Sequence, residues 1–325
     1  MAEMRVIEHG EGGGPEVLRI GTRPIPEPAA DEVLVRVIAA GVNGPDLKQR
    51  LGNYPPPKGA SDLMGLEVSG EVVGLGSDVT KWKKGDLVCG LCNGGGYAEY
   101  VVVPAAQCLP IPSEVDPVDA AGLPETFFTV WSNVWHGHDV PEGATMLVHG
   151  GGGGIGSTAV QLGKALGLRV FTTAGSDASR ALAADLGAER VIDYKTEDFV
   201  EIVRAAGGAD IIIDFMGGDY VQRNMKAARA DCRIIQLAFD LGAKVEVGLG
   251  SILMKRIVYT GSALRPRSPE FKAAIAAELT ERVWPLFAEG RLRPVTNRIF
   301  SFEEAREAHE AMEGPGHAGK TLLRP

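Results

Sequence analysis

LVHGGGGGIGSTAVQLG, residues 147–163, decides how this chain is read. Only one register satisfies G-x-G-x-x-G, with Gly151, Gly153 and Gly156 at its three glycines. The apolar run ATMLVHG (144–150) predicts a strand before it, and IGSTAVQLGKALG (155–167) predicts a helix after it. That context gives the motif its meaning. A tight strand-to-helix turn uses the positive φ that glycine tolerates. The backbone must also approach a pyrophosphate with no Cβ in the way. The helix N-terminus then offers free N–H groups and the positive end of its dipole. A glycine-rich turn without a ligand is the plainer alternative.

Working outward, strands and helices alternate after the turn. LRVFTTAG (168–175), ERVIDY (189–194), ADIIIDFMG (209–217), RIIQLAF (233–239) and KRIVYTGS (255–262) read as strands. SRALAADLG (179–187), EDFVEIVRAAGG (197–208) and RNMKAARADC (223–232) read as helices. Apolar strands alternating with amphipathic helices imply βαβ units and a parallel sheet covered on both faces. The first 120 or so residues are different: EVLVRVIAAGV (32–42), EVSGEVVGLG (67–76) and GDLVCGL (85–91) are valine-rich runs punctuated by Gly and Pro, as in a compact, partly open β-barrel. The end changes again. EFKAAIAAELTERVWPLFAEG (270–290) predicts one long helix with a kink before Pro285, and SFEEAREAHEAMEG (301–314) a second, with Ser301 and Glu304 at capping-box spacing. GKTLLRP closes the chain as a strand.

Composition sets the limits. The chain has 325 residues, enough for about two domains, with net charge −9 and 23% charged residues. That balance offers no basic nucleic-acid footprint. No apolar run reaches the ~18–20 residues of a membrane helix, and the first residues carry no signal-peptide pattern. Four cysteines (Cys89, Cys92, Cys108, Cys232) are too few for a disulfide framework at this length, so a reducing, cytoplasmic setting is expected. Glycine is in surplus, 43 of 325 residues or about 13%, and five of them are consecutive at 150–154.

The second predicted strand bears on cofactor choice. NAD-binding sheets end this strand with an acid that grips the ribose 2′-OH. Here it ends Thr172-Thr173-Ala174-Gly175-Ser176, with no acid at the tip. Ser176 can donate to a 2′-phosphate, and Arg180 can offer a forked cation. This favours NADP, with Asp177 as the residue that argues for NAD and an ordinary solvated helix charge as the other reading of Arg180.

AAGVNGPDLKQRLGNYPPP (39–57), GLEVSGEVVGLGSDVTKWKKGDLV (65–88), GGGYAEYVVVP (94–104), the glycine turn, TAGS (173–176), VIDYKTEDF (191–199) and HAGKTLLRP (317–325) together resemble the medium-chain dehydrogenase/reductase superfamily. Within it the chain resembles the zinc-free NADPH:quinone oxidoreductases, nearest to the tumour-suppressor-inducible branch. The resemblance runs over nearly the whole chain in family order. It implies an α/β chain with a GroES-like β-barrel, residues 1–123 and 265–325, and an inserted doubly wound Rossmann domain, residues 124–264. It further implies nicotinamide and substrate in a cleft between the domains, and a homodimer, or a homotetramer, joined through edge strands such as KRIVYTGS.

The same resemblance implies site residues. Asn43, Tyr54 and Thr129 line the nicotinamide side as positioning groups, with Tyr54 the leading donor and ring packing its alternative; Asp46 orients. Gly152, Gly153, Gly154 and Ile155 hold the pyrophosphate; Gly175, Ser176 and Tyr194 surround the adenosine phosphate; Leu237, Ala238, Phe239 and Leu264 cover the nicotinamide half; Lys320 lies near the cofactor. Such reductases often carry a Lys where this chain has Ser179, which weakens the phosphate grip unless Arg180 replaces it. No metal is expected. Zinc relatives place a Cys near Asn43 and a His at Leu66, and the cysteine-rich structural lobe is missing. Three further motifs are set aside: Cys89-x-x-Cys92 has no second pair, His136 and His138 lack a third ligand, and the P-loop-like string from Gly314 to Thr321 sits after a helix and near the end of the sequence.

The implied function is NADPH-dependent reduction of a quinone by hydride transfer. Reduction of an enone or 2-alkenal double bond is the second enzyme reading. A non-catalytic NADPH-binding protein is the reading from another class.

Overall fold

The computed structural model describes residues 2–314 and 316–325; Pro315, within the P-loop-like string, lies outside the described residues. The chain divides into two compact units, Met1–Phe128 with Arg265–Pro325, and Thr129–Leu264. The first passage between them falls inside a helix, five residues beyond the expected 123/124 boundary.

In the first unit β1 (Glu3–Glu8) pairs antiparallel with β2 (Arg19–Pro24). The long β3 (Glu32–Val42) pairs with β4 (Glu67–Leu75), and β5 (Leu87–Leu91) extends the sheet. β6 (Tyr100–Pro104) also pairs with β3, and β7 (Cys108–Pro110) flanks β5. Their alternating inward valines, among them Val33, Val35, Val37, Val68, Val72, Val101 and Val103, form the core of this unit. Between β3 and β4 the chain makes a short helix, α1 (Gly44–Arg50), started by Pro45. Helix α2 (Pro124–Val134) leads out of the unit.

The second unit is built from β8 (Thr145–His149), β9 (Arg169–Ala174), β10 (Arg190–Asp193), β11 (Ala209–Asp214), β12 (Ala228–Gln236) and β13 (Val258–Gly261). They lie in the order β10-β9-β8-β11-β12-β13, every neighbour parallel. α3 (Gly154–Ala165), α4 (Asp177–Asp185), α5 (Phe199–Ala205), α6 (Tyr220–Ala227) and α7 (Gly250–Lys255) connect them. This is the doubly wound order, and it reverses direction between β8 and β11. Two readings are corrected here. RNMKAARADC is helical only to Ala227; from Ala228 the chain runs as strand, held to β11 by the pairs Ala228–Ala209 and, past an irregularity in the register, Arg233–Ile211. KRIVYTGS is strand only over Val258–Gly261, and Lys255 ends α7 instead.

Back in the first unit, the expected long helix is divided. α8 (Pro269–Glu278) passes through a π-helical turn at Leu279–Val283 into the short α9 (Pro285–Ala288). Pro285 has no N–H to donate and its ring crowds the carbonyl four residues back, so the helix widens ahead of it; Trp284 N–H reaches Leu279 O at 2.9 Å, five residues back. β14 (Thr296–Ser301) leads to α10 (Ala305–Glu313), entered with Ser301 N–H donating to Glu304 Oε2 at 2.8 Å. β15 (Lys320–Arg324) then pairs parallel with β14 and antiparallel with β3, completing the first unit's sheet with the last strand of the chain.

Candidate functional site

In the second unit, the fully buried strand β8 delivers the chain to the glycine turn. Gly150 has φ +68°, and its N–H reaches Thr173 Oγ1 at 3.3 Å while Gly151 N–H reaches Thr173 O at 3.1 Å. The turn is thus anchored on β9. Helix α3 starts at Gly154 with no side-chain cap and no acid in its first turn. Its first N–H groups have no intrahelical partner, and no acid of its own first turn competes for them. The glycines divide by role. A Cβ on Gly151 would lie 2.0 Å from Thr172 Oγ1, one on Gly152 2.4 Å from Ser179 Cβ, and one on Gly156 2.1 Å from Gly150 O. These three allow close packing of turn, strand and helix. A Cβ on Gly153 would make only an ordinary contact, with Gly150 O at 3.5 Å, so this glycine is not required by the packing of the turn. An uncapped, acid-free helix N-terminus behind a glycine turn fits a dinucleotide pyrophosphate.

Beneath the turn lies a buried polar chain. His149 Nε2 donates to Asn224 Oδ1 at 2.8 Å, and Asn224 Nδ2 donates to Asp214 Oδ2 at 2.9 Å. His149 Nδ1 sits 3.1 Å from Thr173 Oγ1. Burial pushes the His149 pKa down to about 4, so the ring is neutral and the ends of β8, β9 and β11 are tied by uncharged donors and one carboxylate.

The next strand ends carry the other expected residues. Gly175 follows β9, and a Cβ there would lie 2.2 Å from Tyr194 Oη, so Tyr194 covers it from the end of β10. Ser176 caps α4, accepting from Ser179 N at 3.1 Å. The Arg180 guanidinium is held by two acids, Asp193 Oδ2 at 2.8 Å and Asp177. Leu237–Phe239 follow β12, where Leu237 N–H donates to Asp214 O at 2.8 Å and Phe239 is half exposed. Leu264, after β13, is buried. The structure therefore gathers Gly151–Gly156, Gly175, Ser176, Arg180, Tyr194, Leu237–Phe239 and Leu264 beyond the C-terminal ends of the parallel strands, the ligand-binding edge of such a sheet. Thr129 is buried on α2, with its carbonyl accepting from Ser132 Oγ and Asn133 Nδ2.

The first unit gathers a second set. Asn43 joins β3 to α1; its N–H donates to Asp46 Oδ2 at 2.9 Å and its Nδ2 to Glu67 Oε1 at 2.9 Å. Lys320 Nζ donates to Asn43 Oδ1 at 2.6 Å and lies 2.5 Å from Glu67 Oε1. Sequence reading placed Lys320 near the cofactor. Its ammonium is committed to Glu67, to the Val42 carbonyl and to Asn43, the residue expected on the nicotinamide side. Tyr54 is partly exposed, with the Arg265 guanidinium 5.5 Å from its ring centroid. Burial, and then the charge of Glu125, raise the Tyr54 pKa, which keeps the phenol protonated. Arg265 donates to Gln49 Oε1 at 2.8 Å and to the Asn93 carbonyl at 2.7 and 3.0 Å; Lys272 Nζ donates to Asn93 Oδ1 at 2.6 Å.

Glu67, Glu125, Arg265 and Lys272 were missed as part of this cluster. Only their occurrence inside otherwise apolar or turn-forming stretches marks them, and every charged residue near a core shares that mark. A cavity of about 360 Å³ opens beside this region, lined by Gln49, Gly52, Pro55 and Pro56 and by the ion-paired Arg23 and Asp62.

The motifs set aside have ordinary surroundings. All four cysteines are free and buried, and burial raises the Cys89 and Cys92 thiols above their usual range. The string around Gly314 runs from helix α10 into strand β15, the reverse of a phosphate-binding loop. Among the described residues no group of three or more His, Cys, Asp or Glu is arranged to hold a metal ion.

A second unit with a parallel sheet in doubly wound order and a glycine cradle, and a first unit closed by the strand Lys320–Arg324, define a nicotinamide-dependent dehydrogenase or reductase of two units. Comparison with known proteins carries this further. The family described as alcohol dehydrogenase GroES-like domain matches residues 29–113, and zinc-binding dehydrogenase matches residues 154–280. A quinone oxidoreductase from Lama guanicoe is 30% identical over 332 residues, covering 98% of this chain and 97% of that protein. The mycobacterial protein Rv1454c, solved with NADPH, is 28% identical with TM-score 0.87 over 99% of this chain and 100% of that one. A quinone oxidoreductase from Pseudomonas syringae is 28% identical with TM-score 0.85, over 99% and 100%. The chain belongs to the medium-chain dehydrogenase/reductase superfamily, in its quinone oxidoreductase family.

Proposed function

We propose that this protein reduces quinones with NADPH, without zinc. The observation that carries the reading is the uncapped, acid-free start of α3 behind its glycine turn, in a chain of the quinone oxidoreductase family. The unit from Thr129 to Leu264 is the dinucleotide-binding domain, and the unit holding Asn43 and Tyr54 is the catalytic one. When bound, the nicotinamide supplies the hydride. The chain's part is to bind, orient and donate hydrogen bonds. Gly153–Gly156 amides hold the pyrophosphate, Ser176 and Arg180 receive the adenosine 2′-phosphate, and Tyr194 packs on the adenosine side. Tyr54, kept protonated, donates to the oxygen that gains negative charge.

Zinc independence is supported by the residues themselves: Asn43 and Leu66 stand where zinc relatives carry ligands, and Leu66 is buried in the core. Free, buried thiols suit a reducing, cytoplasmic setting. A homodimer is supported by the unpaired edge of β13 with Val258 and Tyr259 exposed, next to the highly exposed Leu253 and Met254. Sedimentation tests it: Leu253→Asp with Met254→Asp should shift the species to monomer, and a wild-type monomer would reject it.

Steady-state assays with 1,4-benzoquinone, 9,10-phenanthrenequinone and a short 2-alkenal, each with NADPH and with NADH, test the function. Turnover of quinones with NADPH is expected. Turnover of the alkenal alone would make it a double-bond reductase, and NADPH binding with no turnover would make it a binding protein.

A further inference from the structure

The first unit buries three carboxyl groups in one polar cluster: Asp46, Glu67 and Glu125 are 1%, 0% and 8% exposed. Their donors differ. Asp46 accepts N–H bonds from Asn43 and Gly65, both at 2.9 Å. Glu67 accepts from Asn43 Nδ2 at 2.9 Å and Glu125 N–H at 2.8 Å, and pairs with Lys320 at 2.5 Å. Two of the three are therefore solvated by the protein as anions. The Glu125 carboxyl accepts no hydrogen bond from any described residue. The charged groups that face it are Glu67, Lys320, Asp46 and Lys272, with Tyr54 and Arg265 also within electrostatic reach. Neither lysine is available to it: Lys320 is held by Glu67 and Asn43, and Lys272 by Asn93 and the Arg265 carbonyl.

A buried carboxylate without donors, facing two acids already satisfied as anions, is costly, and the group avoids that cost by keeping its proton. Burial first, and then the Glu67 charge, raise the Glu125 pKa to about 8. A carboxyl that stays protonated at neutral pH can act as an acid there.

We infer that Glu125 is the proton donor of the reduction. The inference rests on the reductase reading. Hydride addition brings two electrons and one hydrogen to the acceptor and leaves an anion. The Glu125 O–H bond then breaks with its electron pair staying on the carboxylate. A new O–H bond forms on the quinone-derived oxygen, and the carboxylate regains a proton from water before the next turnover. Tyr54, whose phenol feels the Glu125 charge, positions that oxygen.

Two measurements on the full-length protein test this. The first is kcat/KM for 9,10-phenanthrenequinone against pH with saturating NADPH. The wild type should lose about tenfold per pH unit above about pH 8, where the acid is ionised. Glu125→Gln should be slower and flat from pH 7 to about 9.5, and Glu125→Asp should restore an alkaline limb. A Glu125→Gln profile with the wild-type limb overturns the proposal. The second needs no acceptor: denaturant midpoints against pH. The folded pKa lies above the ordinary 4.5, so this group's stabilisation is present at low pH and is lost as pH rises through about 8. Glu125→Gln should gain on the wild type across that window, and a constant difference overturns the proposal. A wild type that turns over no quinone overturns the reductase reading and the donor role together. It is told apart from failure of the donor role alone by the missing wild-type rate.

Discussion

Lys320 Nζ lies 2.5 Å from Glu67 Oε1, with both side chains buried. Glu67 opens β4 and Lys320 opens β15, so this ion pair fastens the last strand of the chain to the sheet begun near its start. Removing one partner leaves the other charge buried and alone. Lys320→Met should cost about 3–5 kcal/mol in denaturant unfolding, and Lys320→Met with Glu67→Gln should recover part of it. Additive losses would show that the pair is not coupled.

The glycine turn separates packing from binding. Gly156→Ala puts a methyl 2.1 Å from Gly150 O and should lower stability by about 1–3 kcal/mol as well as weakening NADPH binding. Gly153→Ala meets no atom within 3.5 Å, so it should unfold like the wild type yet bind NADPH at least tenfold more weakly. Wild-type affinity in Gly153→Ala, read by quenching of protein fluorescence, would remove the cradle from the binding site.

Arg180 is shared between Asp193 and Asp177. NADPH should be preferred over NADH by at least several-fold in kcat/KM. Arg180→Ala should lower the NADPH value about tenfold or more and leave the NADH value nearly unchanged. Asp177→Asn should raise the NADPH value, because it frees one arm of the fork and removes a charge that repels phosphate. Equal values for both cofactors in the wild type would refute the assignment.

His309 is sealed between Arg50 Nη1 and Tyr97 Oη, each at 3.2 Å. Burial first, and then the Arg50 charge, lower its pKa to about 3, below the ordinary 6.5. Its stabilisation is thus present above pH 6.5 and lost as pH falls toward 3. At pH 4 the loss should reach about 3 kcal/mol. His309→Gln should show a correspondingly shallower fall in denaturant midpoint between pH 6.5 and 4, and an unchanged slope would rule out His309 as its source.

Local periodicity explains which features were legible in advance. The β8–turn–α3 unit could be read because strand, glycines and helix are contiguous and each has its own signature. The helix over 270–290 was legible as helical, but not its π turn, which follows from how one proline is accommodated in a packed helix. RNMKAARADC reads as helix to its end because alanine-rich sequence is compatible with helix; the pairs Ala228–Ala209 and Arg233–Ile211, on either side of a register irregularity, make its end strand instead.

What the sequence alone determined is the chain's class: a dinucleotide-binding sheet, a β-rich first unit and a terminal strand, all encoded by residues close together in the chain. What only the tertiary structure decided is the state of the buried charges. Glu67 and Lys320, Glu125 and its missing donors, and Arg265 over Tyr54 are set by residues distant in sequence, and Arg180, beside its near neighbour Asp177, is also taken by Asp193 on β10. A charge's role depends on which partners reach it and how much water is excluded, and neither is written in local spacing.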